Sequence, residues 1–197
     1  MNDEEIEKAI TLWQAATSLN EVGELTAKWI EGTLPFYPLD GSETIYDEGL
    51  PLRETLAFYN RNGFITTFSQ PAEELDEEGF AQRACVEGFA NEEVSKKLET
   101  ISLSTSLLVF IFDNDFNEGY RIPITLGSFR PFTWCGDFSK NHYLEIFETV
   151  LSENALYEIE LSTQVVIIDL QWGRKDFLWE QITKVLNSDF DKQYAIK

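Results

Sequence analysis

Residues that ligate metals or build disulfide frameworks are scarce in this sequence. Its 197 residues include two cysteines, Cys85 and Cys135, and one histidine, His142. The two thiols lie far apart in the chain, and the sequence has no CxxC motif and no Cys/His cluster of the zinc-binding kind. We therefore predict no metal site and no cofactor. Cys85 is expected to be buried and inert in a strand, and Cys135 to be more exposed.

Positive charge is scarce as well. Lys and Arg number 15 against 35 Asp and Glu, which gives a net charge of -20. Residues 1–100 hold 21 acidic and 7 basic residues and so carry -14 of that charge. Such a surface repels phosphate backbones and anionic lipids and attracts basic proteins. We expect no direct nucleic-acid binding and no membrane binding, and a basic protein is the favoured partner. The alternative is that the charge serves solubility alone.

Long apolar runs and familiar catalytic motifs are missing too. No stretch approaches the roughly 18 apolar residues of a transmembrane helix, and the start MNDEEIEKAI lacks the basic and apolar regions of a signal peptide. We therefore expect a cytoplasmic protein. No GxSxG, P-loop, GxGxxG or HExxH motif occurs, so the sequence leaves open whether the chain is an enzyme.

The apolar residues that are present predict a folded core. They make up 43% of the chain, and a length of 197 residues fits one domain over residues 1–197. Apolar spacing and capping residues predict two amphipathic N-terminal helices, the second capped by Asn20, and a third that ends at Asn62-Gly63. Later helices are expected to begin at Asn91, at Asp137 or Ser139, and at Asp176.

Strands are predicted between these helices, from β-branched and aromatic runs. The class is therefore α/β or α+β, a single layered domain with a mixed β-sheet and flanking helices. The apolar run 107–112 is expected to form a central strand, and the connection Thr33–Gly49 is expected to be the most mobile segment. The predicted strands cover residues 64–68, 82–89, 107–112, 120–125, 129–134, 156–161 and 164–170.

Two polar segments at strand ends are candidate sites. The segment 66–71 (TTFSQP) ends the first predicted strand, and Gln82-Arg83 opens the next. The segment 169–176 (DLQWGRKD) joins a strand to a helix and holds a cationic pair. Ligands commonly bind at strand ends, and a guanidinium there binds phosphates or carboxylates. The alternative is ordinary turn chemistry, with Asp176 as a helix cap and Arg174 bonded to Asp169. The candidate ligand-binding residues are Thr67, Ser69, Gln70, Gln82, Arg83, Asp169, Trp172 and Arg174.

A third candidate is an acidic protein-binding surface. The run 73–78 (EELDEE) contains five carboxylates, and aromatic residues that could anchor a partner accompany the acidic N-terminal half. Alternatively, these aromatics belong to the core. The aromatic residues considered are Trp13, Trp29, Phe36, Tyr37 and Tyr46.

The segments 57–71 (AFYNRNGFITTFSQP), 81–90 (AQRACVEGFA) and 169–179 (DLQWGRKDFLW) resemble a bacterial domain family of unknown function that is widespread in actinobacteria. The resemblance spans most of the chain, apart from residues 103–160, and implies a fold without an activity. The acidic insertion after Pro71 departs from the family pattern, which favours a glycine there. The resemblance marks Thr67, Ser69, Gln70, Gln82, Arg83, Trp172, Gly173 and Arg174.

Two hypotheses follow for the function. The first is an acidic binding or inhibitory protein, of an immunity or anti-defence type, that occludes a basic partner. The second is a small anionic-ligand-binding protein or enzyme, whose site combines the TTFSQP, QR and WGR segments. The second requires these segments to converge in the folded protein.

Overall fold

The protein has an α+β fold, one of the two classes that the alternating helices and strands predict. A computed structural model describes residues 3–112, 122–135 and 139–188. Within them lie helices and strands in this order: α1 (Asp3–Ala15), α2 (Leu19–Ile30), a 3-10 helix (Asp47–Leu52), α3 (Arg53–Arg61), β1 (Phe64–Gln70), β2 (Ala81–Gln82), β3 (Cys85–Ala90), α4 (Glu92–Ser104), β4 (Leu107–Phe112), β5 (Ile122–Gly127), β6 (Arg130–Cys135), α5 (Lys140–Phe147), α6 (Glu153–Leu161), β7 (Thr163–Asp169) and α7 (Phe177–Leu186).

The larger sheet has four strands in the order β1-β3-β7-β4. Every pairing among the described strands is antiparallel, which makes the class α+β. The expectation that 107–112 is central is wrong, because β4 lies at the sheet edge and five of its six residues are only partly buried. The two inner strands are β3, whose six residues are all buried, and β7, whose last six residues are all buried.

The smaller sheet, β2-β5-β6, packs against one face of the larger sheet. Side chains alternate along β7, so Val165 and Ile167 enter the main core beneath the helices. Val166 and Ile168 point the other way and contact the second core that joins the two sheets. The arrangement is therefore three layers, with helices, the larger sheet and the smaller sheet in that order.

One predicted strand is two strands in two different sheets. Residues 82–89 were expected to be continuous, but Ala81-Gln82 pairs with β5, whereas Cys85–Ala90 pairs with β1 and β7. The break falls at Arg83 and Ala84, where the chain crosses from the smaller sheet to the larger one. Arg83 therefore lies at the joint between the sheets.

Two of the predicted helix starts, at Asn91 and Ser139, are confirmed by side-chain caps. The side chains of Asn91 and Ser139 accept hydrogen bonds from backbone amides of the helices that follow them. Helix α2 is capped by Ser18 and not by Asn20. Asp176 occupies the cap position of α7 without a side-chain capping bond, and Asp137 lies outside the described residues.

The prediction of a strand over 156–161 is wrong, because this segment is helix α6. Its N-cap Ser152 accepts a hydrogen bond from the amide of Ala155, which fixes a helical start. Ala155 and Ile159 are its buried residues, and a spacing of four places them on one face of a helix.

The connection Thr33–Gly49, expected to be the most mobile segment, makes several contacts with the core. The indole of Trp13 donates to the carbonyl of Phe36, and the indole of Trp29 donates to that of Ser42. Tyr37 is buried, and its ring stacks on Trp29 with centroids 4.1 Å apart. These contacts hold the connection over the C-terminal half of β1.

Candidate functional site

A cavity of about 190 Å³ lies beneath this connection, and we call it the β1 pocket. Its floor is the β1 segment Thr66–Ser69, and Trp29 and Tyr37 line one wall. Asp40, Tyr46 and Glu48 of the connection also line the pocket, in addition to Ile30, Ile45, Gly49 and Leu56. The pocket therefore combines apolar and aromatic walls with hydroxyls and carboxylates.

A β-bulge shapes the floor of the β1 pocket. Thr66 is paired with Gly88 and Phe68 with Glu87, which leaves Thr67 as the extra residue of β1. The hydroxyl of Thr67 donates to the carbonyl of Glu87 over 3.4 Å. The bulge thus orients Thr67 so that it lines both the β1 pocket and a neighbouring cavity.

Buried Asn60 fixes the backbone at the start of this floor. Its side chain accepts a hydrogen bond from the amide of Thr66 at 3.0 Å and donates to the Thr66 hydroxyl at 2.8 Å. The hydroxyl of Tyr37 donates to the carbonyl of Thr66 at 3.1 Å. The floor is therefore held from both α3 and the connection, and such rigid support favours a preformed site.

The β1 pocket has a negative electrostatic character. Asp40 and Glu48 are both exposed at its rim, and no Lys or Arg is among the described residues that line it. The carboxylate of Asp40 accepts a hydrogen bond from the Tyr46 hydroxyl and raises the pKa of that phenol. Burial, with a smaller contribution from Asp40, raises the pKa of Tyr37. Both phenols therefore stay neutral hydrogen-bonding groups around neutral pH.

A second cavity of about 270 Å³ adjoins the first, and we call it the Glu87 pocket. Tyr37, Asp40, Thr67 and Phe68 line both cavities. The walls that belong to the second cavity alone come from β3, β6 and α5, and they include Glu87, Trp134, Cys135, His142, Tyr143 and Ile146, with Leu39 from the connection.

Acid–base groups surround this second cavity. Glu87 is buried at 2% exposure, and its carboxylate accepts a hydrogen bond of 2.5 Å from the side-chain amide of Gln164. Burial, and secondly the charge of Glu87, raise the pKa of Tyr143. His142, the single histidine of the sequence, is exposed on α5 at the edge of this cavity.

Only part of the predicted site faces a cavity. Thr67 and Ser69 line the β1 pocket, whereas Gln70 points to the joint between the sheets. The amide nitrogen of Gln70 donates to the carbonyls of Arg83 and Ile124, at 3.1 and 3.0 Å, and its oxygen accepts from Thr125. Both ends of this buried amide are thus bonded to protein.

The predicted pair Gln82 and Arg83 also bonds within the protein. Arg83 donates to the carbonyl of Leu170 at 3.1 Å and to that of Pro123 at 2.8 Å. Its guanidinium lies 4.1 Å from the ring centroid of Trp172, a cation–π contact. Gln82 is buried, and its backbone carbonyl accepts a hydrogen bond from the amide of Gly173. The QR and WGR segments therefore contact each other, and neither segment lines one of the two cavities.

Asp169 and Arg174 form a bidentate ion pair in this joint. The guanidinium donates to the two carboxylate oxygens at 2.5 and 2.7 Å, and to the hydroxyl of Ser106 at 3.0 Å. Asp169 is fully buried, and Arg174 also stacks on Phe177. This geometry matches the alternative reading of the segment, in which Arg174 bonds to Asp169.

Several pocket residues were not among the candidate ligand-binding residues. Asp40 and Glu48 come from a connection that carries no motif, and Trp29, Tyr37 and Tyr46 were considered as anchors for a protein partner. Trp29 and Tyr37 are buried, and so is Trp13, whereas Tyr46 is exposed. A usable signal was the length of the connection, since long ordered loops in compact proteins are often binding segments.

Across 3–112, 122–135 and 139–188, no group of three or more His, Cys, Asp or Glu side chains is arranged to hold a metal ion. In the same part of the chain, each helix is too short or too polar to cross a bilayer.

The fold and its cavities define an α+β domain with a small concave site on the face of the larger sheet. The chain belongs to the family described as domain of unknown function (DUF6919), whose model matches residues 8–189. This match confirms that the chain resembles a family of unknown function, while the bacterial distribution of that family and its pattern of marked residues stay predictions.

The chain is also similar to methylenetetrahydrofolate reductase 1 of Schizosaccharomyces pombe. The two are 31% identical over 138 residues, which is 60% of this chain and 23% of the reductase. The chain thus spans about a quarter of the length of this curated relative.

Proposed function

We propose that this protein is a small-molecule-binding domain whose ligand occupies the β1 pocket. The observation that carries the proposal is the combination of stacked Trp29 and Tyr37, the Thr67 and Ser69 hydroxyls and the rim carboxylates around one cavity. Apolar walls with a few convergent polar groups are typical of small-ligand sites.

The lining supports a particular ligand chemistry. Asp40 and Glu48 repel anions, and no cation among the described residues lines the pocket to offset them. We therefore replace the anionic ligand of the sequence hypothesis with a neutral or cationic one. Aromatic walls favour a flat ring, and the carboxylates and hydroxyls favour hydrogen-bond donors on it.

The similarity to the reductase bears on this proposal only in part. A chain that matches 23% of that protein is not assigned its reaction. A folate is an anion, and the carboxylates of Asp40 and Glu48 disfavour anions in the β1 pocket. We therefore propose that the β1 pocket binds a compound other than a folate.

The test is a matched set of probes with one ring and three charges: tryptamine, tryptophol and indole-3-acetate. Calorimetry and thermal unfolding should rank them in that order, with Tm rising by about 5 to 10 °C at a tryptamine concentration near 100 Kd. D40N/E48Q should remove the preference for tryptamine, because it removes the charge and keeps the shape.

The control for this variant is E43Q/D47N, which removes two charges from the same connection at positions that do not line the pocket. It should bind like the wild type. The proposal is abandoned if none of the three probes binds, or if indole-3-acetate binds most tightly.

The acidic protein-binding hypothesis remains a second proposal, supported by the surface of the acidic loop (residues 73–78). All six residues are exposed, including Leu75, and Phe80 and Phe129 expose apolar surface beside them. The Asp76 carboxylate accepts hydrogen bonds from the amides of Glu78 and Phe80, which holds the loop in shape. An ordered surface of carboxylates and apolar side chains suits a basic partner.

Charge reversal tests this second proposal. E77K/E78K should weaken retention of a basic partner from host lysate about tenfold, and that retention should also fall with added salt. E99K/E148K makes the same charge change at exposed positions of α4 and just after α5, and should retain the partner. Equal loss in both variants would show attraction to net charge alone and would remove the loop as the binding surface.

A further inference from the structure

Cys85 and Cys135 lie side by side although fifty residues separate them in sequence. Their sulfur atoms are 2.7 Å apart, closer than ordinary van der Waals contact, and a disulfide bond of about 2.05 Å requires a shift of less than about 1 Å. Cys85 belongs to β3 of the larger sheet and Cys135 ends β6 of the smaller sheet. Cys135, expected to be the more exposed thiol, is also buried in the core between the sheets, at 3% exposure against 0% for Cys85.

The two thiols differ in their access to small molecules. Cys135 lines the Glu87 pocket, and its sulfur lies 3.9 Å from a carboxylate oxygen of Glu87. Cys85 is fully buried, and burial, followed by its hydrogen bond with Cys135, raises the pKa of its thiol. A reagent that enters the cavity therefore meets Cys135 before Cys85.

We propose that Cys85 and Cys135 form a dithiol site that undergoes exchange with low-molecular-weight disulfides and closes into a bond between the two sheets. The Cys135 thiolate attacks one sulfur of the reagent, forms a mixed disulfide and releases one thiolate. The Cys85 sulfur then loses its proton, attacks the Cys135 sulfur and releases the second thiolate. The protein loses two protons and two electrons, and the reagent is reduced to two thiols.

The bond should stabilise the contact between the sheets. It closes a loop of fifty residues and so restricts the unfolded chain. The expected rise in Tm is about 5 to 15 °C for a protein of this size. It also fixes Cys135, a wall residue of the Glu87 pocket, to the larger sheet.

The test uses the wild-type chain and cystamine, a small cationic disulfide that the carboxylates of Asp40 and Glu87 do not repel. After incubation, denaturation and alkylation, the expected product has no alkylated cysteine, an intact mass lower by two hydrogens, and a Cys85–Cys135 cross-linked peptide. Retention of two alkylatable thiols, or cross-links between chains only, would overturn the proposal. The peptide map needs no variant, so its answer does not depend on how a substitution affects folding.

Single variants test the order of attack. C85A should accumulate one cysteamine adduct on Cys135, because no second thiol is present to displace it, whereas C135A should gain none. The reverse pattern, or equal labelling of both variants, would overturn entry through the Glu87 pocket. The double variant C85A/C135A should show no change of Tm with cystamine.

Discussion

Replacing Gly88 with alanine should destabilise the protein by about 3 kcal/mol or more and lower Tm by about 6 to 12 °C. A Cβ at this position would lie 2.2 Å from the carbonyl oxygen of Ile65 and 2.9 Å from the Cα of Thr66. Both atoms are backbone of β1, so relief requires the two strands to separate. Urea denaturation with a common m-value for wild type and variant measures the loss.

The matched control is G127A, in another strand. There the nearest atom to an added Cβ is the Cβ of Phe132 at 3.6 Å, an ordinary contact. We expect a change within about 0.5 kcal/mol. Because Gly88 faces the bulge that places Thr67, G88A should also weaken tryptamine binding to the β1 pocket, and G127A should not. Equal stability of the two variants would contradict the close approach of the strands.

Replacing Arg174 with methionine should cost about 3 to 5 kcal/mol. The substitution leaves Asp169 fully buried without the guanidinium that bonds both of its oxygens. Methionine retains much of the apolar contact with Phe177, so the loss reports mainly on the carboxylate. Chemical denaturation of wild type and variant at the same pH measures it.

Two further variants separate this cause from a general effect of lost charge. K175M removes the neighbouring cation, whose partner Glu73 is half-exposed, and should cost less than about 1 kcal/mol. D169N/R174M removes the buried charge as well and should recover at least half of the R174M loss. If K175M and R174M have the same effect, the buried pair does not stabilise the joint.

Local patterns were sufficient where neighbouring residues decide the outcome. The cap at Asn91 and the end of α3 at Asn62-Gly63 follow from a few adjacent residues and are confirmed. The prediction of a strand over 156–161 was wrong because the apolar spacing of a short amphipathic segment is compatible with a strand and with a helix. The N-cap at Ser152 favours the helix.

The candidate site was found in part for the same reason. Thr67 and Ser69 could be selected because they end a strand, and both line the β1 pocket. Asp40 and Glu48 could not be selected from the sequence, because their connection has no motif that indicates which strand it covers. Gln70, Arg83 and Asp169 have polar side chains suited to a ligand, but other parts of the chain supply their bonding partners.

The sequence by itself determined that helices and strands combine in an α/β or α+β fold, the net negative charge and most helix boundaries, since composition and short-range patterns control these properties. The choice of α+β came from the antiparallel pairing of strands distant in sequence. Tertiary structure alone decided that one predicted strand divides between two sheets and that QR and WGR pack together. It also decided that Cys85 meets Cys135 and that the connection covers β1. Each of these outcomes joins residues distant in sequence, and their contacts depend on how whole layers pack against one another.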